Sequence, residues 1–223
     1  MRPSRTYSLL VGAAFIALIV FALLNTVRTQ EGGLLGAGED RGIAAPQFAV
    51  PAALGTLEGD ANVYQDDCAS SELPCSAEDR RTPACEVRGP GVIRVCDLFD
   101  RPLVISFWFS RGGDCLPSQD LVDRVASRYR GRVNFLSVDI RDDRDQVQEV
   151  IRERGWRIPV GYDADGAVSN IYRVGVCPTV AFLYPGGIIR GASVGSEEID
   201  DGALARDVNT LLRESERRAS TIR

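Results

Sequence analysis

The sequence predicts an α/β domain whose mostly parallel central sheet is closed by a β-hairpin and a final helix. Three observations predict it. Residues 103–109 (LVISFWF) form a continuous apolar, β-branched and aromatic run, the pattern of a strand buried on both faces of a parallel sheet. Strand and helix patterns then alternate, which implies βαβ units. The last third carries two short strand patterns around Pro185-Gly186-Gly187, followed by an amphipathic helix.

Taken in chain order, residues 7–24 carry no charge and are almost wholly apolar, an 18-residue stretch near the lower length for crossing a bilayer as a helix. Arg2 and Arg5 precede it, so the positive-inside tendency predicts a cytoplasmic N-terminus and an external domain. A cleaved signal peptide is the alternative. The apolar run exceeds the usual signal core and no small-x-small cleavage site follows at 23–27, which favours a retained anchor over residues 1–27. Residues 28–43 are rich in Gly and charge and read as a flexible linker. A folded domain is expected over 44–215, with an irregular cysteine-bearing insertion at about 54–91 and a polar tail at 216–223. Within the domain, residues 115–129 and 144–154 show helical periodicity, 133–138 reads as a strand, 179–184 and 188–190 as the hairpin, and 202–214 as the closing helix.

Composition narrows the chemistry. The net charge of -5, with no basic block, argues against a nucleic-acid partner, because such binding needs clustered cations on the phosphates. With no histidine, Cys-His and Ser-His pairs are excluded and the commonest nitrogen ligand for zinc or copper is missing. All 26 basic residues are arginine, which excludes Schiff-base chemistry and a P-loop lysine. What remains reactive is sulfur. The six cysteines, at 68, 75, 85, 96, 115 and 177, are an even number, as expected outside the cytosol. Cys68, Cys75, Cys85 and Cys96 contain no C-x-x-C spacing, so structural disulfides of open pairing are expected there, with no metal site and no cofactor.

Three motifs carry a resemblance. Residues 107–115 (FWFSRGGDC) resemble the active-site stretch of membrane-tethered TlpA-like and ResA-like thioredoxins, roughly F-W-A-S-W-C-x-P-C. Ala45-Pro46-Gln47-Phe48 is similar to the opening those proteins share with peroxiredoxins, and Gly175-Val176-Cys177-Pro178-Thr179 is similar to the segment whose proline is cis. The resemblance spans about residues 44–212 outside the insertion. It implies a thioredoxin-like three-layer fold with a central mixed sheet. Gly112 stands in the place of the first active-site cysteine, and Cys115 in that of the second. Cys177 before the cis-proline then lies beside Cys115 and takes the vacated partner role, with Trp108, Arg111, Val176, Pro178 and Thr179 at the substrate-binding surface. A permanent structural bridge, or two unpaired thiols, are the alternatives for Cys115 and Cys177.

The implied function is thiol-disulfide exchange with extracytoplasmic protein thiols and disulfides, the protein being held at the membrane by its N-terminal helix. Two other functions compete. A peroxiredoxin-like thiol peroxidase would use Cys115 against peroxides, although the P-x-x-x-T/S-x-x-C pattern of that family is not matched by Trp108 and Gly112. A non-catalytic binding module on the same scaffold is the third. For the site itself, Asp114 is suited to cap a helix beginning at Cys115 and Arg111 adds a cation, while the Asp114 charge opposes a neighbouring thiolate; a modestly activated thiol is expected. The topology is open to test: protease added to wall-stripped cells is expected to digest everything beyond about residue 28, and protection of the domain would refute the predicted orientation.

Overall fold

A computed structural model of the chain describes residues 15–19, 42–59, 82–111, 115–196 and 199–221. Among the described residues from 42 onward, seven strands and four α-helices follow in order: β1 (Ala49–Pro51), β2 (Val92–Arg94), β3 (Leu103–Trp108), α1 (Cys115–Arg128), β4 (Asn134–Ile140), α2 (Arg144–Arg154), β5 (Val160–Asp163), α3 (Ala167–Ile171), β6 (Thr179–Tyr184), β7 (Ile188–Val194) and α4 (Asp201–Thr221). The main sheet has the order β5-β4-β3-β6-β7. β3 runs parallel to β4 and antiparallel to β6, so the sheet is mixed, with the apolar run of residues 103–108 at its centre.

Alternation along β3 divides the core between the two faces. Leu103, Ile105 and Phe107 pack with Leu136, Val138, Phe48 and Tyr172 on one side. Val104, Phe135, Val180 and Phe182 pack on the other under α1 and α4, through Leu121, Val122 and Val125 of the first helix and Leu204, Val208 and Leu211 of the last. A third cluster at the end of β3 joins Trp108, Cys115 and Trp156 to Val147 and Ile151 of α2.

Local chemistry accounts for the helix ends. The Asp143 carboxylate accepts from the Asp145 N–H at 3.0 Å, and Gly155 closes α2 in the left-handed conformation, so the helix keeps the expected bounds 144–154. The closing helix is longer than expected. Its apolar stripe ends at Leu212, yet the good helix formers that follow carry the backbone through the supposed tail to Thr221. Three short strands were not anticipated: β1 contains Pro51, β2 has three residues, and β5 contains Gly161, so none offers a measurable period. Gly161 has a packing reason, since a β-carbon there would lie 2.5 Å from Val50 Cγ2, where β1 crosses.

Of the expected insertion, the described part 82–91 is largely irregular, with one 3-10 turn at Ala84–Glu86. A disulfide joins Cys85 there to Cys96, which sits on the 3-10 turn Val95–Leu98 against the core. Cys68 and Cys75 lie outside the described residues. So does most of the apolar N-terminal run, of which residues 15–19 are helical and exposed. Among the described residues no helix is long and apolar enough to cross a membrane.

The β6–β7 turn is held by Gly187, at φ +74°, where a β-carbon would lie 2.6 Å from the Phe99 ring. Gly187→Ala is expected to cost about 1–3 kcal/mol through backbone strain and overpacking together, read as a lowered urea midpoint at unchanged slope. An unchanged midpoint would show that the turn is less constrained than its geometry indicates.

Candidate active site

β3 ends at Trp108 and the chain turns through Ser110 and Arg111 before entering α1 at Cys115. On the other side of the site, the segment after α3 reaches Cys177 and a cis peptide to Pro178, as the resemblance implied. Thr179 Oγ1 donates to the Val176 carbonyl at 2.6 Å, and the Gly195 N–H donates to the Pro178 carbonyl at 2.8 Å, so this segment is pinned at its base. The two segments meet. Cys115 and Cys177, 62 residues apart in sequence, form a disulfide with an α-carbon separation of 5.7 Å, inside the range a bridge requires.

The two sulfur-bearing residues are not equivalent. Cys115 is 0% exposed, packed with Trp108, Trp156 and α2, whereas Cys177 is half-buried and follows Val176, which is 49% exposed. Among the expected substrate-binding residues, Val176 and Arg111 are at the surface. Trp108, Pro178 and Thr179 are buried, so the Trp108 indole forms part of the packing under the disulfide and has no face for a substrate. Trp108 meets Trp156 edge-on, with ring centroids 4.9 Å apart.

α1 is fixed from several sides. Ser106 Oγ donates to Gln119 Oε1 at 2.8 Å across the buried interface with β3. Asp120 accepts from the Trp156 indole N–H at 2.7 Å and pairs with Arg154 at 2.6 Å. Asp123 accepts from the N–H groups of Arg157 and Ile158 at 2.7 and 3.0 Å.

Under the site lies an acidic pair that motif reading missed. Asp139 is the register partner of Trp108 and is fully buried. Asp142, nearly as buried, accepts from the Ser110 N–H and faces the Arg111 guanidinium at 3.6 Å, which ties the turn before Cys115 to the end of β4. Among the described residues neither Asp139 oxygen meets a donor. Burial first, and the neighbouring Asp142 charge second, push its carboxyl up to about 9, so near neutral pH it holds a proton that it can donate to Asp142. The signal was present in the sequence. An aspartate at an inward-facing position of a strand must be paired, protonated or functional. Trp108 Nε1 and Ser110 Oγ are also buried without a partner among the described residues, so unpaired polar groups gather at this end of β3 and β4. Asp163 is a separate case: it accepts from the Val168 and Ser169 N–H groups, yet burial still raises it to about 6.

No protein-family model matches the sequence. Among curated proteins the chain is similar to the thiol-disulfide oxidoreductase ResA of Oceanobacillus iheyensis, at 27% identity over 116 residues, 52% of this chain and 57% of that one. It thus spans little more than half the length of that relative. Among solved structures it is similar to a candidate thiol:disulfide interchange protein DsbE of Chlorobium tepidum, with a TM-score of 0.57 and 18% identity, over 77% of this chain and 97% of the other. A candidate thioredoxin of Neisseria meningitidis gives a TM-score of 0.50 and 28% identity, over 56% and 83%. The fold is thioredoxin-like.

Asp139 makes stability depend on pH. Its folded-state value lies above the ordinary one, so its contribution is fully present below about pH 4 and is lost as pH rises through about 9. Asp163 acts in the same direction, loses its contribution as pH rises through about 6, and adds little to the slope above about pH 7. Stability is therefore expected to fall between pH 7 and 9 by up to about 1.4 kcal/mol per unit, and Asp139→Asn to flatten that fall and raise the urea midpoint at pH 8. A variant profile parallel to the wild type would show that Asp139 is ionised in the native state.

Proposed function

We propose that this chain is a membrane-anchored, extracytoplasmic thioredoxin-like thiol-disulfide oxidoreductase, whose redox pair is Cys115 and Cys177. In this reading Gly112 occupies the position at which C-x-x-C relatives carry their first cysteine, and a cysteine beside the cis-proline supplies the second sulfur. The observation that carries the reading is the Cys115–Cys177 disulfide, one sulfur at the first turn of a helix and the other next to Pro178.

The surroundings support exchange chemistry. Exchange runs through thiolates, both attacking and departing, and the orphan N–H groups of the first turn of α1 favour negative charge on Cys115. Cys177 has access to solvent and is bordered by exposed Val176, which suits contact with a protein substrate. The likeness to ResA over 116 residues points to the same class of reaction. Protein thiols and disulfides are the proposed substrates. The N-terminal apolar run and its flanking arginines support placement of the domain outside the membrane.

Dithiothreitol-driven reduction of insulin by the purified full chain tests the activity. A rate at least about tenfold above dithiothreitol alone is expected, and it should vanish in the double variant Cys115→Ser/Cys177→Ser, a loss of at least 1.4 kcal/mol in transition-state stabilisation. Faster turnover of hydrogen peroxide than of insulin would move the reading to a thiol peroxidase. Inertness towards both would leave a binding module.

A further inference from the structure

From the unequal burial of the two sulfurs we infer that Cys177, and not Cys115, is the sulfur through which the protein exchanges disulfides with its partners, while Cys115 is the internal resolving thiol. This rests on the oxidoreductase reading and assigns the roles within it. Two observations carry the assignment. Cys115 has no exposed surface and is enclosed by Trp108, Trp156, Val147 and Ile151, so a partner sulfur has no path to it without opening that cluster. Cys177 is half-buried on a segment whose neighbours Gly175 and Val176 are exposed, so it is the more approachable of the two cysteines.

Thiol-disulfide exchange is an in-line displacement at sulfur, so access decides which sulfur is attacked and the stability of the departing thiolate decides how fast it leaves. Both favour one direction. When an external thiolate attacks Cys177 Sγ of the oxidised protein, the Cys115–Cys177 bond breaks and Cys115 departs as a thiolate at the first turn of α1, where helix N–H groups offset the cost of its burial. In the reductive direction the Cys177 thiolate attacks one sulfur of a protein disulfide. That bond breaks, one partner thiolate leaves and takes a proton from water, and a Cys177–partner disulfide forms. Cys115 then loses its proton and attacks Cys177 Sγ, releasing the second partner thiolate and restoring the internal bridge. Two electrons pass to the partner, and an external dithiol regenerates the reduced pair by the reverse steps.

The assignment leaves Cys115, which stands in the place of the second cysteine of a C-x-x-C protein, as the resolving thiol, and relocates only the attacking one. It also explains how the site can work with glycine at position 112. The attacking thiol has moved to the cis-proline segment, and Cys115 keeps an interior role.

The test uses the full chain in two measurements. First, the reduced wild type is pulsed with limiting N-ethylmaleimide and mapped by mass spectrometry. Cys177 is expected to be modified at least tenfold faster than Cys115, and equal or reversed rates would overturn the assignment whatever the variants do. Second, reduced Cys115→Ser and Cys177→Ser are exposed to glutathione disulfide. Cys115→Ser is expected to accumulate a mixed disulfide at Cys177, and Cys177→Ser to form one at Cys115 at least tenfold more slowly. Faster capture at Cys115 would overturn the assignment, as would capture by neither variant while the wild type still reduces insulin. If instead the wild type reduces no insulin although Cys177 is alkylated first, the oxidoreductase reading fails while the order of sulfur access stands.

Discussion

Burial of β3 on both faces is the constraint on which the rest of the molecule depends. A strand with no solvent side can hold its place only if helices cover one face and the N-terminal segment with α3 covers the other, and this gives the domain its layers. The same burial delivers the chain, at Trp108, to the end of the sheet. There α1 begins and the segment entering β6, the antiparallel neighbour of β3, comes back alongside. The meeting of Cys115 with Cys177 is thus a consequence of strand order, with the pinned backbone around Val176–Thr179 fixing the final approach.

Around that meeting point polarity is arranged unevenly. The carboxylates of Asp120 and Asp123 are spent on docking α1 to residues 154–158, and each has well-defined N–H partners. Asp139 and Asp142 are different, because one meets no donor among the described residues and the other holds the turn leading to α1. A buried, protonated carboxyl beside a second buried carboxylate is a costly arrangement to retain for packing alone, and isosteric amides would remove the cost. Its position links the protonation of the core to the turn before Cys115.

How much of this was legible in the sequence varied with the kind of signal. The run at 103–108 and the periodic residues of α1, α2 and α4 identified their elements, because long apolar patterns report burial directly. β1, β2 and β5 left no such trace, being three or four residues long and interrupted by Pro51 or Gly161. At the site, the Cys115–Cys177 approach was reachable through resemblance in the motif around Pro178, while their unequal burial was not. It depends on Trp156 and α2, which pack over Cys115 from a distant part of the chain. Trp108, placed by the resemblance at the substrate-binding surface although such tryptophans more often belong to a core, lies inside in edge-on contact with Trp156.

The 62-residue separation of the bridged cysteines has a thermodynamic consequence that a C-x-x-C pair lacks. A bridge between near neighbours closes a tiny loop and scarcely restricts the unfolded chain. Here the closed loop contains α1, β4, α2, β5 and α3, and on the chain-entropy account its closure is worth about 4 kcal/mol of folding stability. Redox chemistry and folding are therefore coupled through one cycle: whatever the bridge adds to the stability of the oxidised fold, the fold returns as resistance of the bridge to reduction. On the proposed activity, each turnover would take the domain between a tightly and a loosely constrained version of the same structure, and the reducing power a partner must supply would be set in part by how firmly the whole domain is folded.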